Sequence, residues 1–205
     1  MNLWRRPAVL IAVAAVLMLA GGVAIGWVAG SATPGDDSPE AGFARDMQTH
    51  HQQAVEMAMY EWQNGQDEAM RAIAYDIATA QSAEIGMMRS WLVRWDVQMT
   101  TGDLMGWADE DHAADILEGD GLMAGMATLE EMNEFKTLTG TEADIMFANM
   151  MIEHHIGGIE MAEVYLELGD DPTVVDAATR MVQVQRTEIA DMEEHLDRIE
   201  SSVEE

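Results

Sequence analysis

One stretch of the sequence occurs twice: FARDMQTHHQQAVEMA at residues 43–58 returns as FANMMIEHHIGGIEMA at residues 147–162. At the same offset of 104, residues 43–92 align with residues 147–196 without a gap, and sixteen of the fifty positions are identical. Helix-forming residues dominate both copies, and neither shows the alternation of polar and apolar residues that is typical of strands. We therefore expect each copy to form two helices joined by a short turn.

Turn and cap signals mark where these helices begin and end. Residues 64–67, Asn-Gly-Gln-Asp, separate the two helices of the first copy. In the second copy Gly169 stops one helix, Asp171 caps the next and Pro172 suits its first position. The predicted helices span residues 43–63, 67–95, 141–168 and 172–199.

A long crossover, residues 93–140, joins the two copies. Within it, Thr128 and Glu131 predict the start of a short helix that ends at Leu138. One long crossover between two helical hairpins is typical of ferritin-like bundles. We predict an all-α fold: a ferritin-like four-helix bundle of two duplicated hairpins over residues 43–200, plus an N-terminal transmembrane helix.

The N-terminal segment predicts export. Arg5 and Arg6 precede a stretch without charged residues, 7–30, which has the length of a membrane-spanning helix. Because the acidic part of the chain follows this stretch, the positive-inside rule places that part outside the cytoplasm. We predict a single-pass membrane anchor at residues 1–30 and a polar linker at residues 31–42. A cleaved signal peptide that leaves a secreted or periplasmic domain is the alternative.

The composition excludes several classes of protein. A net charge of −28 argues against binding to nucleic acid, because a phosphate backbone requires clustered Lys and Arg. The absence of cysteine excludes a disulfide framework, a thiolate zinc site, an iron–sulfur cluster and a cysteine nucleophile. The chain also has 19 methionines, several times the ordinary share, and this excess calls for an explanation.

Most of the identical positions fall on one face of each helix. At 100° per residue, the histidine, methionine and alanine identities of the first helix share one arc, and so do the glutamine, glutamate and methionine identities of the second. These faces should turn toward the interior of the bundle. Buried polar side chains are costly without partners, so the repeat predicts that the faces meet around a polar network or a bound ligand.

The spacing of methionine and histidine favours a metal. Met47 lies one turn before His50 on the same helix face, and Met57 lies two turns beyond it. Thioether and imidazole groups together select soft metals, above all Cu(I), and also Ag(I). The predicted metal ligands are Met47, His50, His51, Met57, Met151, His154, His155 and Met161. Further ligands, or partners that orient the histidines, are Gln81, Glu84, Met88, Gln185, Glu188 and Met192.

Other interpretations of these residues stay open. Methionine often fills irregular cores, and the histidines could form a hydrogen-bonded layer with Glu or Gln. A di-iron carboxylate centre requires Glu-x-x-His twice, and the chain has no such motif. In the crossover, Met123 and Met126 predict either a methionine clasp over an open end of the bundle or a loop with apolar anchors.

Several motifs resemble one bacterial family. HHQQAVEMA, MMIEHHIGGIEMA, the GLMAGM turn and the run LEEMNEFKTLTGTEADIMF are similar to the exported proteins grouped as domain of unknown function 305, over residues 41–198. That family includes periplasmic copper-tolerance proteins of the CopM kind. The resemblance implies a ferritin-like four-helix fold and, for some members, copper or silver binding through Met and His.

Two details of the resemblance concern individual residues. The Met, His, His and downstream Met that are usual in the second copy correspond here to Met151, His154, His155 and Met161. The Met-Pro-Gly-Met linker common in the family is Met-Ala-Gly-Met in this chain, which bears on the rigidity of the clasp.

We interpret the chain as an extracytoplasmic, membrane-anchored protein that binds copper, chiefly Cu(I). It would buffer the metal, confer tolerance to it, or deliver it to an unidentified protein partner. Such a protein needs no catalytic residue, and no nucleophile–base pair is evident, which favours a binding protein over an enzyme. The alternatives are a ferritin-like metal-dependent oxidoreductase that uses His50, His154, Glu84 and Glu188, and a helical structural subunit of a membrane complex.

Overall fold

The computed structural model describes residues 33–117 and 121–203. All regular elements in these two ranges are helices, apart from one isolated β-bridge between Leu117 and Met123. The helices are α1 (Pro39–Asn64), α2 (Glu68–Trp95), α3 (Glu110–Ile116), α4 (Leu129–Phe135), α5 (Thr141–Leu168) and α6 (Pro172–Val203). The predicted all-α class is confirmed.

Membrane insertion was predicted only for the N-terminal segment. Among the helices of the described ranges, none is both long enough and apolar enough to cross a membrane. The predicted anchor or signal segment, residues 1–30, lies outside the described residues.

The helix termini follow local capping rules. Asp67 accepts hydrogen bonds from the backbone N–H groups at the start of α2, and Asp171 does the same for α6. Thr128 and Glu131 form the expected capping box of α4. The caps of α4 and α6 are the predicted ones, and Asp67 caps α2 at the end of the predicted turn, residues 64–67.

The start of α1 differs from the prediction. The helix begins at Pro39, because Ser38 caps it and proline fits its first turn. The last residues of the predicted linker, 31–42, are therefore helical. The seven-residue helix α3 was also not predicted.

Two antiparallel hairpins make the bundle. α1 packs along α2, α5 packs along α6, and α1 contacts α5. Helices α1 and α5 run in opposite directions. Glu40 near the start of α1 accepts a hydrogen bond from the N–H of Asp170 just after α5, and Asp144 in the first turn of α5 accepts one from Gln66 in the turn after α1. The short helices α3 and α4 pack on α5.

The crossover is held to α1 by a buried carboxylate. Asp46 accepts hydrogen bonds from the N–H of Met105 and from Nε1–H of Trp107, both at 2.8 Å. Burial raises the pKa of Asp46, and the two hydrogen bonds oppose that shift. This contact fixes the start of the crossover over the N-terminal half of α1.

Candidate metal centre

Four histidines meet where α1 crosses α5. The rings of His50 and His154 have centroids 3.8 Å apart with their planes at 37°, and all four rings are buried. Nε2–H of His154 donates a hydrogen bond of 3.0 Å to the backbone carbonyl of His50. The histidine pairs of the two copies therefore come together in one layer, which we call the histidine layer (His50, His51, His154 and His155).

Each copy orients one histidine with a glutamate from its second helix. Nε2 of His51 lies 2.9 Å from Oε2 of Glu84, and Nε2 of His155 lies 2.8 Å from Oε2 of Glu188. An ionised carboxylate only accepts hydrogen bonds, so each ring carries its proton on Nε2. In the neutral form of each ring the lone pair is then on Nδ1.

Several polar atoms of the layer, and of two buried glutamines, have no hydrogen-bond partner among the described residues. They are Nδ1 of His50, His51 and His155, and Oε1 of Gln81 and Gln185. A buried polar atom without a partner costs about 1–3 kcal/mol, and such atoms are rare in folded proteins. Apart from Nδ1 of His50, these unsatisfied acceptors lie at equivalent positions of the two copies.

The central pair of rings is uncharged. Burial, and then the neighbouring ring of His51, lower the pKa of His50 to about 3. Burial and the ring of His50 lower the pKa of His154 well below its ordinary value. Both imidazoles therefore keep an unprotonated nitrogen at neutral and mildly acidic pH.

The methionines form two buried clusters, one on each side of the histidine layer. Met47 and Met57 flank the histidines of α1 and fall into different clusters. The first methionine cluster contains Met47, Met88, Met105, Met123, Met161 and Met181. The second methionine cluster contains Met57, Met70, Met132, Met151 and Met192. Since α1 and α5 are antiparallel, each cluster combines thioethers from both copies.

The crossover covers one side of the layer through residues 121–128, which we call the strap. Nε2–H of His50 donates a hydrogen bond of 3.2 Å to the carbonyl of Ala124. The amide of Gln53 forms two hydrogen bonds with the backbone of Ala127, of 2.8 and 2.7 Å. Met123 in the strap is fully buried, and Met126 is partly buried.

Glycines let the strap approach α5 closely. A Cβ atom at Gly157 would lie 1.8 Å from the carbonyl oxygen of Ala124, and one at Gly125 would lie 2.1 Å from the carbonyl oxygen of Glu153. Gly125 also has a φ of +72°, which favours glycine. Contact of the strap with α5 thus depends on the missing side chain at position 157.

The structure brings the eight predicted Met and His ligands into the layer or into a cluster beside it. Within residues 33–117 and 121–203, however, no three His, Asp or Glu side chains come together as a metal site. Gln53 was not among the predicted residues, because α5 has Gly157 at the equivalent position and the repeat gave no signal. Its partner lies 74 residues away in the crossover.

Comparison with known proteins assigns the chain to a family. Residues 40–196 match the family described as domain of unknown function (DUF305). A DUF305 protein of Streptomyces coelicolor, described as secreted, is 38% identical, with 80% of this chain and 94% of that chain covered and a TM-score of 0.71. A DUF305 fragment from Deinococcus radiodurans is 29% identical, with 80% and 99% covered and a TM-score of 0.65.

A further structural neighbour is CopM. Its Cu(II)-bound form is 22% identical to this chain, with 81% of this chain and 98% of CopM covered and a TM-score of 0.62. At that identity the likeness shows a shared fold. No curated protein matches the sequence. The chain belongs to the DUF305 family.

Proposed function

We propose that this DUF305 protein binds copper, preferentially as Cu(I), at the histidine layer and the methionine clusters beside it. The observation that carries the proposal is the burial and the hydrogen bonding of His51 and His155. Each ring is buried, donates Nε2–H to a glutamate and leaves the lone pair of Nδ1 without a partner. Histidines that bind metals almost always donate their other N–H in this way, because the carboxylate fixes the tautomer and strengthens the ligand.

The surrounding groups favour a soft ion. Thioether sulfur stabilises Cu(I) and Ag(I) and contributes little to harder ions such as Mg²⁺ or Mn²⁺. Methionine also avoids the oxidation of free thiols that an extracytoplasmic location would bring, although its sulfur can form a sulfoxide. The copper-bound structures of CopM, which shares the fold, are consistent with this choice of metal.

The proposal places one copper ion on each side of the layer. In the first copy Met47 lies one turn before His51 on α1, and Met88 lies one turn after Glu84 on α2. The second copy repeats this arrangement. The ligand set of the first site is His51 with Met47, Met88 and Met161, and that of the second is His155 with Met151, Met192 and Met57.

A purely structural layer explains less of the geometry. Hydrogen bonds between His and Glu are what a packing role predicts, and both are present. A packing role would also pair the second ring nitrogen, because an unpaired buried acceptor is destabilising. At His51 and His155 that nitrogen is unpaired, and both positions have thioethers beside them.

The role in the cell follows from location and charge. The secreted DUF305 protein of Streptomyces coelicolor suggests an extracytoplasmic location for this chain as well. A net charge of −28 would concentrate cations around the domain. We infer buffering of copper or its delivery to a protein partner; the membrane anchor at residues 1–30 remains a prediction.

The proposal is tested on full-length protein purified without added copper. Metal analysis is followed by titration with Cu(I), Ag(I) and Zn(II), and we expect two equivalents of Cu(I) or Ag(I) to bind far more tightly than Zn(II). A parent protein without Cu(I) affinity would refute the proposal. Turnover of Cu(I), Fe(II) or oxygen would instead favour the oxidoreductase.

Matched methionine variants separate ligands from core packing. Met47→Leu with Met151→Leu removes one proposed ligand from each site, and we expect Cu(I) affinity to fall at least tenfold. Met70→Leu with Met181→Leu changes one buried methionine of each cluster that is outside the proposed ligand sets, and it should leave affinity unchanged. Leucine conserves volume, so each substitution should cost less than about 1.5 kcal/mol of stability. Equal affinity of the two double variants would show that the methionines are core filler.

A further inference from the structure

A carboxyl group without a counter-ion lies at the end of α1. Glu61 is 0% exposed, and neither of its side-chain oxygens has a hydrogen-bond donor among the described residues. It occupies the last turn of α1, where the chain leaves through Gly65 toward α2. The proposed copper sites do not use this group.

A second buried carboxylate faces Glu61. Asp144, in the first turn of α5, is 1% exposed and accepts hydrogen bonds from the N–H groups of Gln66 and Asp67 at 2.8 and 3.1 Å. A Cβ atom at Gly65 would lie 1.9 Å from Oε1 of Glu61 and 2.6 Å from Oδ1 of Asp144. Oxygens of the two carboxyl groups therefore border the same point.

The charged groups around this pair do not neutralise it. Arg71 on α2 attracts the carboxylate of Glu61 from a distance, but its Nε–H donates to the carbonyl of Trp62. Asp67 adds negative charge, and the nearest cation of α6, Arg198, is bound to Asp67 at 2.9 Å. Two ionised carboxylates in contact within the protein repel each other strongly, so one of them must hold a proton.

The other end of the bundle has an equivalent arrangement of residues, with a tyrosine in place of Glu61. At the offset of 104, Tyr165 corresponds to Glu61, Gly169 to Gly65 and Glu40 to Asp144. The Tyr165 ring lies against Gly169, and the carboxylate of Glu40 accepts from the N–H of Asp170. Each interhelical turn thus joins a buried acidic group, a glycine and a carboxylate supplied by the other copy.

We propose that Glu61 and Asp144 share one proton as an acid–carboxylate pair, which makes the α1–α2 turn sensitive to alkaline pH, whereas Tyr165 leaves the α5–α6 turn insensitive. Tyrosine keeps its proton to about pH 10 even in water, and burial beside Glu40 raises the pKa of Tyr165 further. A carboxylic acid keeps its proton only while its environment requires it.

The sign of the pH effect follows from proton linkage. Burial, and then the contact with Asp144, raise the pKa of Glu61 from 4.5 to about 9. The contribution of the protonated side chain to stability is fully present below pH 4.5 and is lost as pH rises toward 9. One proton held only by the folded state lowers the folding equilibrium constant about tenfold per pH unit in that window.

Glu61→Gln is the test, because an amide keeps a donor toward Asp144 and has no proton to lose. Metal-free protein is unfolded with urea at several pH values between 5.5 and 8.5. We expect the folding constant of the parent, relative to Glu61→Gln, to fall about tenfold per pH unit. The control Tyr165→Phe removes only the hydroxyl of the equivalent position, and its pH profile should run parallel to the parent. Parallel profiles for Glu61→Gln and the parent would overturn the proposal.

Infrared spectroscopy tests the proton without reference to stability. The parent at pH 7 should show the carbonyl band of a buried, protonated carboxylic acid, and this band should disappear as pH is raised through 9. Its absence at pH 7 would overturn the proposal even if Glu61→Gln fails to fold. Since the band does not involve copper, its outcome is independent of the proposed metal sites.

Discussion

The two copies of the repeat agree at the glutamates and differ at the strap. His51 meets Glu84 at 2.9 Å and His155 meets Glu188 at 2.8 Å, so this contact is the same in both halves. The other histidines diverge, because His154 donates to the backbone of α1 whereas His50 donates to Ala124 in the strap.

The same division is seen one turn further on. Gln53 clamps the strap with two hydrogen bonds, and its equivalent, Gly157, makes room for the strap. Duplication thus accounts for the arrangement of the proposed ligands, and the crossover makes their surroundings unequal. We expect the two proposed copper sites to resemble each other in ligands and to differ in access.

The largest expected effect concerns the shared part of the two copies. His51→Gln or His155→Gln alone should remove one equivalent of bound Cu(I), because each site depends on its own imidazole. Both changes together should lower the affinity of the whole protein more than about 100-fold, beyond the loss typical of changing a residue that only orients a ligand. Competition titration with a Cu(I) chelator measures both quantities.

A different result would change the comparison between the copies. If either single variant loses all copper, the two copies hold one joint ion between them. If the double variant binds as tightly as the parent, the histidines are not ligands.

The second prediction concerns the contact between the strap and α5, where the two copies differ. Gly157→Ala puts a methyl group against the carbonyl of Ala124, and overpacking of this kind costs about 1–3 kcal/mol. That cost exceeds the roughly 0.5–1 kcal/mol that alanine gains over glycine within a helix. We expect lower stability in urea and faster hydrogen exchange of residues 121–128.

Two variants serve as controls for the strap. Gly86→Ala introduces alanine in α2 where the added Cβ atom would meet no side chain and no neighbouring element within 4 Å, so it should raise stability by about 0.5–1 kcal/mol. Gln53→Ala removes the clamp from the opposite side and should also speed exchange of the strap. If Gly157→Ala stabilises the protein as Gly86→Ala does and the strap stays protected from hydrogen exchange, the close contact between Gly157 and Ala124 is contradicted.

The smallest effect is the acid sensitivity of the central rings in metal-free protein. An unfolded histidine gains its proton near pH 6.5, whereas His50 in the folded chain stays neutral to about pH 3. Stability from the neutral rings is therefore complete above pH 6.5 and is lost as pH falls toward 3. Each of the two rings lowers stability as pH falls, whereas Glu61 raises it. The loss from His50 and His154, reduced by the gain from Glu61, should therefore be about 1.4 kcal/mol per pH unit below pH 6.5.

Urea unfolding between pH 7 and 5 measures this loss. His50→Gln removes one titrating ring, so the remaining effects of His154 and Glu61 should nearly cancel and flatten the profile. A parent protein whose stability does not change over this range would contradict the uncharged state of the buried rings.

Local signals accounted for most of the fold. The four long helices could be predicted because caps such as Asp67 and Asp171 act within one turn, and because the repeat marked the inward faces. The early start of α1 had a local signal in Ser38 and Pro39 that the repeat did not cover, since the repeat begins at residue 43. Gln53 and Glu61 had no local signal, because their partners lie 74 and 83 residues along the chain.

The sequence by itself determined the helical class, the faces that turn inward and the residue types gathered there. Only the tertiary structure decided which of these residues lie together. Periodicity states the direction in which a side chain points, but its neighbours depend on the direction and register of the opposing helix. Because α1 and α5 run antiparallel, Met47 lies in the cluster of Met161 rather than in that of Met151, and the strap accepts a hydrogen bond from the ring of His50 but not from that of His154.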